Sequence, residues 1–266
     1  RQDDKPDPVQ AYPIRNHVKS VSALYAVFII DDNDILWGWG KTANGQLLIS
    51  TDSNIVIPEK DPIKILTDVR SVLGNDYTVL AIRKDNTLWA WGHSSTLRGD
   101  NLPGPLNRPR KILDHVVTVV NSDNHAVALK EDGTLWTWGS ANAMLPGKPT
   151  QELPSKTLPV KIEFIDNVAD IALGDESILI LKNDGSVWAY GIGPVTGKTS
   201  RNWTTPVRIL SDAVEIASGP HHALALKKDG TVWSWGDNDA GQLGNGTRHL
   251  SLKPVQVHFH PATSAT

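Results

Sequence analysis

Five short stretches decide the fold: Leu36-Trp37-Gly38-Trp39-Gly40, Leu88-Trp89-Ala90-Trp91-Gly92, Leu135-Trp136-Thr137-Trp138-Gly139, Val187-Trp188-Ala189-Tyr190-Gly191 and Val232-Trp233-Ser234-Trp235-Gly236. Their first Trp residues stand 52, 47, 52 and 45 positions apart. Nine of the 10 Trp residues fall in this pattern, and Tyr190 fills the remaining slot. Self-similarity at a nearly fixed period marks a tandem-repeat architecture.

Around each Trp pair the rest of a unit repeats. An apolar run and a turn precede it, as in His222-Ala-Leu-Ala-Leu-Lys-Lys-Asp229-Gly230-Thr231 and His125-Ala-Val-Ala-Leu-Lys-Glu-Asp132-Gly133-Thr134. Asp-Gly between β-rich runs is a strong hairpin signal, because Gly accepts the positive φ that such turns need. Further upstream lies another short strand, such as Val168-Ala-Asp-Ile171; downstream comes a Pro-led strand, such as Pro109-Arg-Lys-Ile-Leu113. Pro is tolerated at a strand start or a sheet edge. Four strands per unit, with no helical periodicity competing, predict an all-β protein: a β-propeller of about five four-stranded blades. The expected units are 17–66, 67–113, 114–162, 163–210 and 211–257, around a pseudo-fivefold axis. Residues 1–16 read as an N-terminal arm with a possible closing strand at Pro8-Val9-Gln10, and 258–266 as a tail. Trp residues at i and i+2 share one sheet face and are read as core.

The stretch Asp229-Gly-Thr-Val-Trp-Ser-Trp-Gly-Asp-Asn-Asp-Ala-Gly-Gln-Leu-Gly244, preceded by Ala217-Ser-Gly-Pro-His-His222 and followed by Pro254-Val, resembles the regulator of chromosome condensation repeat. The resemblance covers roughly residues 8–257. It implies a propeller, commonly of seven blades, used for protein contacts. The eukaryotic namesake is a nucleotide exchange factor that binds chromatin, and bacterial members include secreted proteins, one of them a β-lactamase inhibitor. This chain departs from the pattern: Gly-Gln-Leu-Gly is complete at Gly241–Gly244, partial at Asn44-Gly45-Gln46-Leu47, and absent from blades two to four.

Composition narrows the function classes. With 39% hydrophobic and 21% charged residues the chain has enough apolar material for a large core. The net charge of −3 lacks the basic excess that phosphate neutralisation demands, so nucleic acid is not an expected partner. Cysteine is absent, which excludes disulfides, thiolate metal sites and Cys nucleophiles and fits a bacterial protein working outside the cytoplasm. No apolar run reaches the ~18 residues of a membrane span.

Candidate chemical sites are few. Gly193-Pro-Val-Thr-Gly197-Lys198-Thr199 lacks both the leading Gly and the following helix of a phosphate loop. Asp237-Asn-Asp239-Ala-Gly241 lacks the closing Glu of a calcium loop. No catalytic residues, metal ligands or cofactor are expected. Lys19, Ser71, Thr118, Asp170 and Glu215 align at one polar position of each first strand and are expected to line a central channel. The loops 93–105, 140–154 and 192–205 after the Trp pairs diverge most, and Arg98, Arg201 and Trp203 within them are the expected contact residues, since Arg and Trp dominate interface energetics. The leading expectation is a non-enzymatic protein-binding scaffold, secreted or on a bacterial cell surface, that docks to or inhibits a partner protein. Carbohydrate or cell-envelope binding, and a hydrolase or lyase with carboxylates at the channel mouth, are the alternatives.

Overall fold

The computed structural model describes residues 16–23, 26–41, 44–48, 56–58, 60–75, 77–122, 125–139, 156–199 and 205–258. They form five antiparallel sheets arranged as propeller blades. Blade one holds β1 (Val18–Ala23), β2 (Ala26–Asp31) and β3 (Leu36–Lys41), with an outer strand in two pieces, β4 (Val56–Ile57) and β5 (Ile63–Leu66). Blade two holds β6 (Val69–Gly74), β7 (Thr78–Arg83), β8 (Leu88–Gly92) and β9 (Leu106–Leu113). Blade three holds β10 (Val116–Asn121), β11 (His125–Lys130), β12 (Leu135–Gly139) and β13 (Lys156–Lys161). Blade four holds β14 (Val168–Leu173), β15 (Ser177–Lys182), β16 (Val187–Gly191) and β17 (Val207–Leu210). Blade five holds β18 (Ala213–Ser218), β19 (His222–Lys227), β20 (Val232–Gly236) and β21 (Ser251–Gln256). Helix is confined to the four-residue α1 (Ser95–Arg98) and one 3-10 turn at Pro194–Thr196.

In every blade the strands pair in sequence order. First-to-second and third-to-fourth connections therefore lie at one end of the propeller. Second-to-third turns and blade-to-blade connections lie at the other. First strands of neighbouring blades touch, as β1 does β6, β10 does β14 and β14 does β18, so they are innermost.

Each blade has two unlike faces. One carries large aliphatic residues from the second and third strands; the other carries the second aromatic of the pair, beside alanines in blades three and five and beside Ile178 and Ile180 in blade four. At the junction of blades four and five, Leu179, Leu181, Val187 and Ala189 pack on Ala223, Ala225 and Trp235. The same arrangement joins blades one and two through Phe28, Ile30 and Leu36 against Val79, Ala81 and Trp91. Blades two and three join through Leu80, Ile82 and Leu88 against Ala126, Ala128 and Trp138. Blades three and four join through Val127, Leu129 and Leu135 against Ile178, Ile180 and Tyr190. Small residues on the second strand make room for the aromatic, as the alternation in Ala223-Leu-Ala-Leu226 implies. A backbone link accompanies each junction: Val69 N–H donates to Asp34 O (2.9 Å), Val116 to Asn86 O (2.8 Å), Val168 to Gly133 O (3.1 Å) and Ala213 to Gly185 O (2.9 Å).

Two expectations are corrected here. The sheets do not close a pseudo-fivefold ring: among the described residues, no comparable packing joins blade five to blade one. Val21 of blade one is 72% exposed, whereas its register equivalents Val119, Ile171 and Ile216 are 3%, 5% and 7% exposed. Counting repeats gives the number of sheets; the curvature comes from how the faces wedge together, which the repeat pattern does not encode. Nor do the two Trp residues of a pair share the core equally. Trp91, Trp138 and Trp235 are fully buried, while Trp89, Trp136 and Trp233 are half-buried near the turn.

The half-buried Trp has its own scaffold. Asp132 Oδ1 accepts from Thr134 Oγ1 (2.6 Å), and Thr134 Oγ1 accepts from Trp136 Nε1 (3.2 Å). Asp85-Thr87-Trp89, Asp184-Ser186-Trp188 and Asp229-Thr231-Trp233 repeat the chain of bonds. In blade one Ile35 takes the hydroxyl's place, and Trp37 Nε1 donates to Asp31 Oδ2 instead (2.8 Å). Thr and Ser bonds hold the carboxyls of Asp85, Asp132, Asp184 and Asp229 below the usual carboxylate range.

Candidate functional site

The longest connections follow the third strands, so they gather at one end of the propeller. Their inner halves are structural. Trp91 Nε1 donates to Gln46 O (2.7 Å), Trp138 Nε1 to Leu97 O (2.6 Å) and Trp235 Nε1 to Val195 O (2.9 Å). Each blade's buried indole is thus held by a carbonyl from the preceding blade's loop. Leu47, Leu97 and Val195 are buried at these carbonyls, and Leu243 is buried in the loop of blade five, where its own carbonyl accepts from Ser234 Oγ (2.7 Å). The divergent loops 93–105 and 192–205 keep this geometry at Leu97 and Val195 with sequences unlike that around Gln46, so no shared motif marks it; loop 140–154 lies outside the described residues. The signal present was one apolar residue within each loop.

Arg98 is corrected from a contact residue to an internal clamp. Its side chain is fully buried and paired with the equally buried Asp100 (3.2 Å). Its guanidinium donates to the carbonyls of Gly92 (3.0 Å), Leu102 (2.8 Å) and Gly104 (2.7 Å). A planar group with five donors suits a loop full of inward carbonyls. Arg201 and Trp203 lie outside the described residues. The Gly193–Gly197 segment is a single 3-10 turn whose Val195 carbonyl serves Trp235, and no helix follows it among the described residues.

The channel set is also changed. A β-bulge shifts the register in each first strand, and it pairs Ser20 with Ile30 as Ser71 pairs with Ile82, Thr118 with Leu129, Asp170 with Leu181 and Glu215 with Leu226. Ser20, not Lys19, therefore completes the set. Lys19 Nζ instead donates to Asp32 O and Asp34 Oδ1 (both 2.8 Å), beside Lys84, which also pairs with Asp34. The structure brings Asp170 and Glu215 within electrostatic reach of each other. Burial first, and the Glu215 charge last, push the Asp170 carboxyl upward against a backbone bond from Ile171.

Chemistry beyond binding finds little support. Ser122 Oγ and His125 Nδ1 lie 2.8 Å apart, the contact of a nucleophile and a base. Burial, however, pushes His125 down to about 4, and its Nε2 is enclosed without a carboxylate to orient it. Among the described residues no group of three or more His, Asp or Glu could hold a metal ion. Nor is any described helix long and apolar enough to cross a membrane.

What the loop end does present is a stiff surface on blade five. Asn238 is buried and donates to Thr247 O (3.0 Å) and Asn245 Oδ1 (3.2 Å), while its Oδ1 accepts from Leu243 N–H (2.9 Å). This accounts for the residues of the calcium-like stretch. Outside that brace Asp239, Arg248, His249 and Leu250 are exposed, Leu250 by 44%. On blade two Tyr77, at the same end, is 48% exposed. Neither Leu250 nor Tyr77 stood out in the sequence, because both lie in turns with no recurring pattern.

The five sheets define a β-propeller. Profiles of the regulator of chromosome condensation (RCC1) repeat match residues 116–143, 213–242 and 229–266. Those stretches carry repeats of that family, and the five sheets of the chain form a β-propeller. Among solved structures it is similar to human WBSCR16, at 20% identity and a TM-score of 0.76, covering 91% of this chain and 67% of that one. It is also similar to yeast RCC1 (Prp20) as seen with Kap60, at 17% identity and a TM-score of 0.51, covering 91% and 75%. Hsv2 of Kluyveromyces lactis gives 10% identity and a TM-score of 0.51, covering 95% and 73%. At these identities the likeness concerns the fold alone. No curated protein matches the chain.

Proposed function

We propose that the chain is a non-enzymatic scaffold that binds a protein partner through the loop end of blade five, and that it works outside the cytoplasm of a bacterium. The observation that carries this is the braced loop 237–250, in which a buried Asn238 fixes the backbone while Arg248, His249 and Leu250 face solvent. A rigid loop on a stiff scaffold loses little entropy on binding. An exposed Leu beside an Arg offers an apolar anchor with a polar rim. The yeast RCC1 structure, a complex with Kap60, supports a protein as the kind of ligand such a fold takes. The absence of cysteine fits the proposed location.

The test is affinity capture from the source organism, followed by calorimetry with the recovered protein. Leu250→Asp and Arg248→Ala are each expected to weaken binding by about 2 kcal/mol with the melting temperature unchanged. Recovery of a partner that binds both variants as tightly as the parent moves the contact elsewhere.

A further inference from the structure

Loop 237–250 contains a copy of the turn that ends the second strands of blades three, four and five. In Asp132-Gly133-Thr134, Asp184-Gly185-Ser186 and Asp229-Gly230-Thr231, the Asp Oδ1 accepts from the N–H and the hydroxyl of the residue two positions on. Asn245-Gly246-Thr247 has the same form with a carboxamide in place of the carboxylate. Asn245 Oδ1 accepts from Thr247 N–H (3.1 Å) and from Thr247 Oγ1 (2.9 Å). Gly246 has a φ of 76°, between the 74° of Gly133 and the 81° of Gly230. A third donor, Nδ2 of the buried Asn238, reaches the same oxygen (3.2 Å). An oxygen bonded to the N–H two residues on folds the carboxamide back over the peptide between them, which brings its carbon toward the Gly246 nitrogen. Neither that nitrogen nor Asn245 Nδ2 has a hydrogen-bond partner among the described residues. A Cβ placed on Gly246 would meet nothing within 4 Å, and Gly244, Gly246 and Thr247 are exposed, so water reaches the segment.

We propose that Asn245 is a self-modifying site, at which the folded loop drives the carboxamide to close on the Gly246 nitrogen and hydrolysis leaves aspartate or isoaspartate. The Gly246 amide gives its proton to solvent, its nitrogen bonds to Asn245 Cγ, and Nδ2 leaves as ammonia. Water then opens the cyclic imide. Attack at the former side-chain carbonyl yields Asp, and attack at the main-chain carbonyl yields isoaspartate. Water is the sole co-reactant. As the nitrogen attacks, negative charge develops on Oδ1, where the three donors already point. The Asp-Gly turns share the shape without the reactivity. Bonds from Thr and Ser hold Asp132, Asp184 and Asp229 below the usual carboxylate range, so they stay ionised, and a carboxylate is a poor electrophile. The sequence has a second Asn-Gly pair, Asn44-Gly45, but there Gln46 stands where Thr247 would, and its Nε2 donates to Asn75 O (2.7 Å). The two products differ in what they keep. Asp retains the acceptor, as Asp229-Gly230-Thr231 shows. Isoaspartate lengthens the backbone and withdraws the oxygen that Asn238 and Thr247 share, which loosens the brace under Arg248, His249 and Leu250. The site stands whether or not that surface binds a partner.

The test incubates the purified full chain at mildly alkaline pH and follows each Asn-Gly pair by peptide mass mapping, with isoaspartate read by enzymatic methylation. Asn245 in the folded chain should convert roughly tenfold faster than Asn245 in the same chain held unfolded in urea, because unfolding scatters the donors around Oδ1. It should also convert ahead of Asn44. Thr247→Val removes the hydroxyl donor from an exposed position and should slow conversion by roughly tenfold, while Thr247→Ser restores it. Melting temperatures matching the parent show that both variants keep the fold. The comparison with urea uses the parent alone, so it decides the matter if a substitution disturbs the loop. Conversion in the folded parent no faster than in urea overturns the proposal, since the turn then shields the carboxamide. Conversion no faster than at Asn44 does the same. So does a folded Thr247→Val chain that converts like the parent, which leaves only the ordinary reactivity of an Asn-Gly pair.

Discussion

The junction of blades four and five and the two ends of the arc are made from the same repeat, yet they differ in what they bury. At the junction Leu181 is 5% exposed and Trp235 is fully enclosed; at the ends Leu226 and Trp39, in the same repeat positions, keep contact with water. Hydrogen bonding is satisfied within each sheet at both places. What a blade lacks alone is a cover for its apolar faces, and in repeat proteins neighbours supply it. Stability is therefore a property of junctions, and equivalent substitutions should cost different amounts according to whether a junction exists.

The largest contrast is expected at the second Trp. Trp138→Ala and Trp235→Ala should each cost about 3–5 kcal/mol, the usual loss for truncating a buried aromatic, and they also leave Leu97 O and Val195 O without their donors. Trp39→Ala should cost about 1 kcal/mol or less, since less area returns to water. Urea unfolding with an unchanged slope measures both. Equal losses at Trp39 and Trp138 break the comparison and mean that blade one's face is covered in solution.

Aliphatic truncation comes next. Leu181→Ala should cost roughly 2–5 kcal/mol and Leu226→Ala about 1 kcal/mol. The pair sharpens the first test because Leu makes no hydrogen bond there, so the difference isolates packing.

His125 carries a pH version of the same contrast. Burial pushes it to about 4 in the folded chain, against about 6.5 unfolded. The unfolded chain therefore binds the proton first. Stability from this residue is complete above pH 6.5 and falls away as pH drops toward 4, by about 3 kcal/mol in all. Below the folded value no further loss comes from this group. His125→Asn should flatten the fall in unfolding free energy between pH 7 and pH 4.5. The matching change at His222, half-exposed on blade five, is the control.

These contrasts also mark what was legible in the sequence. The Trp pairs, Asp-Gly turns and Pro-led strands gave five sheets because each is a local signal with a local cause. Which Trp of a pair is buried was not legible, since both sit on one face and the neighbour that covers Trp138 is 41 residues away at Leu97. Arg98 looked like a surface anchor because Arg in a variable loop usually is one; four carbonyls and Asp100 turning inward upon it is a tertiary fact. Lys19 was aligned one residue early because Val18-Lys19-Ser20 and Val21 offer two apolar-flanked polar positions, and the strand pairing, which matches Ser20 to Ser71, is what decides between them.

The smallest expected effect tests the arc at a single atom. Gly133 and Gly230 occupy the same turn position, with φ of 74° and 81°, in the left-handed region that a Cβ disfavours. Gly→Ala at either site should cost about 1–2 kcal/mol for that conformation alone. At Gly133 the added methyl also lies 3.2 Å from the Val168 backbone nitrogen, whose N–H bonds to the Gly133 carbonyl across the junction. At Gly230 it meets nothing. The Gly133→Ala loss should therefore exceed the Gly230→Ala loss, and Asn, which blade two carries at this position as Asn86 with φ 60°, should be milder than Ala at both. If the two Ala losses are equal, either blade four yields to the methyl at Gly133 or Gly230 already has a neighbour.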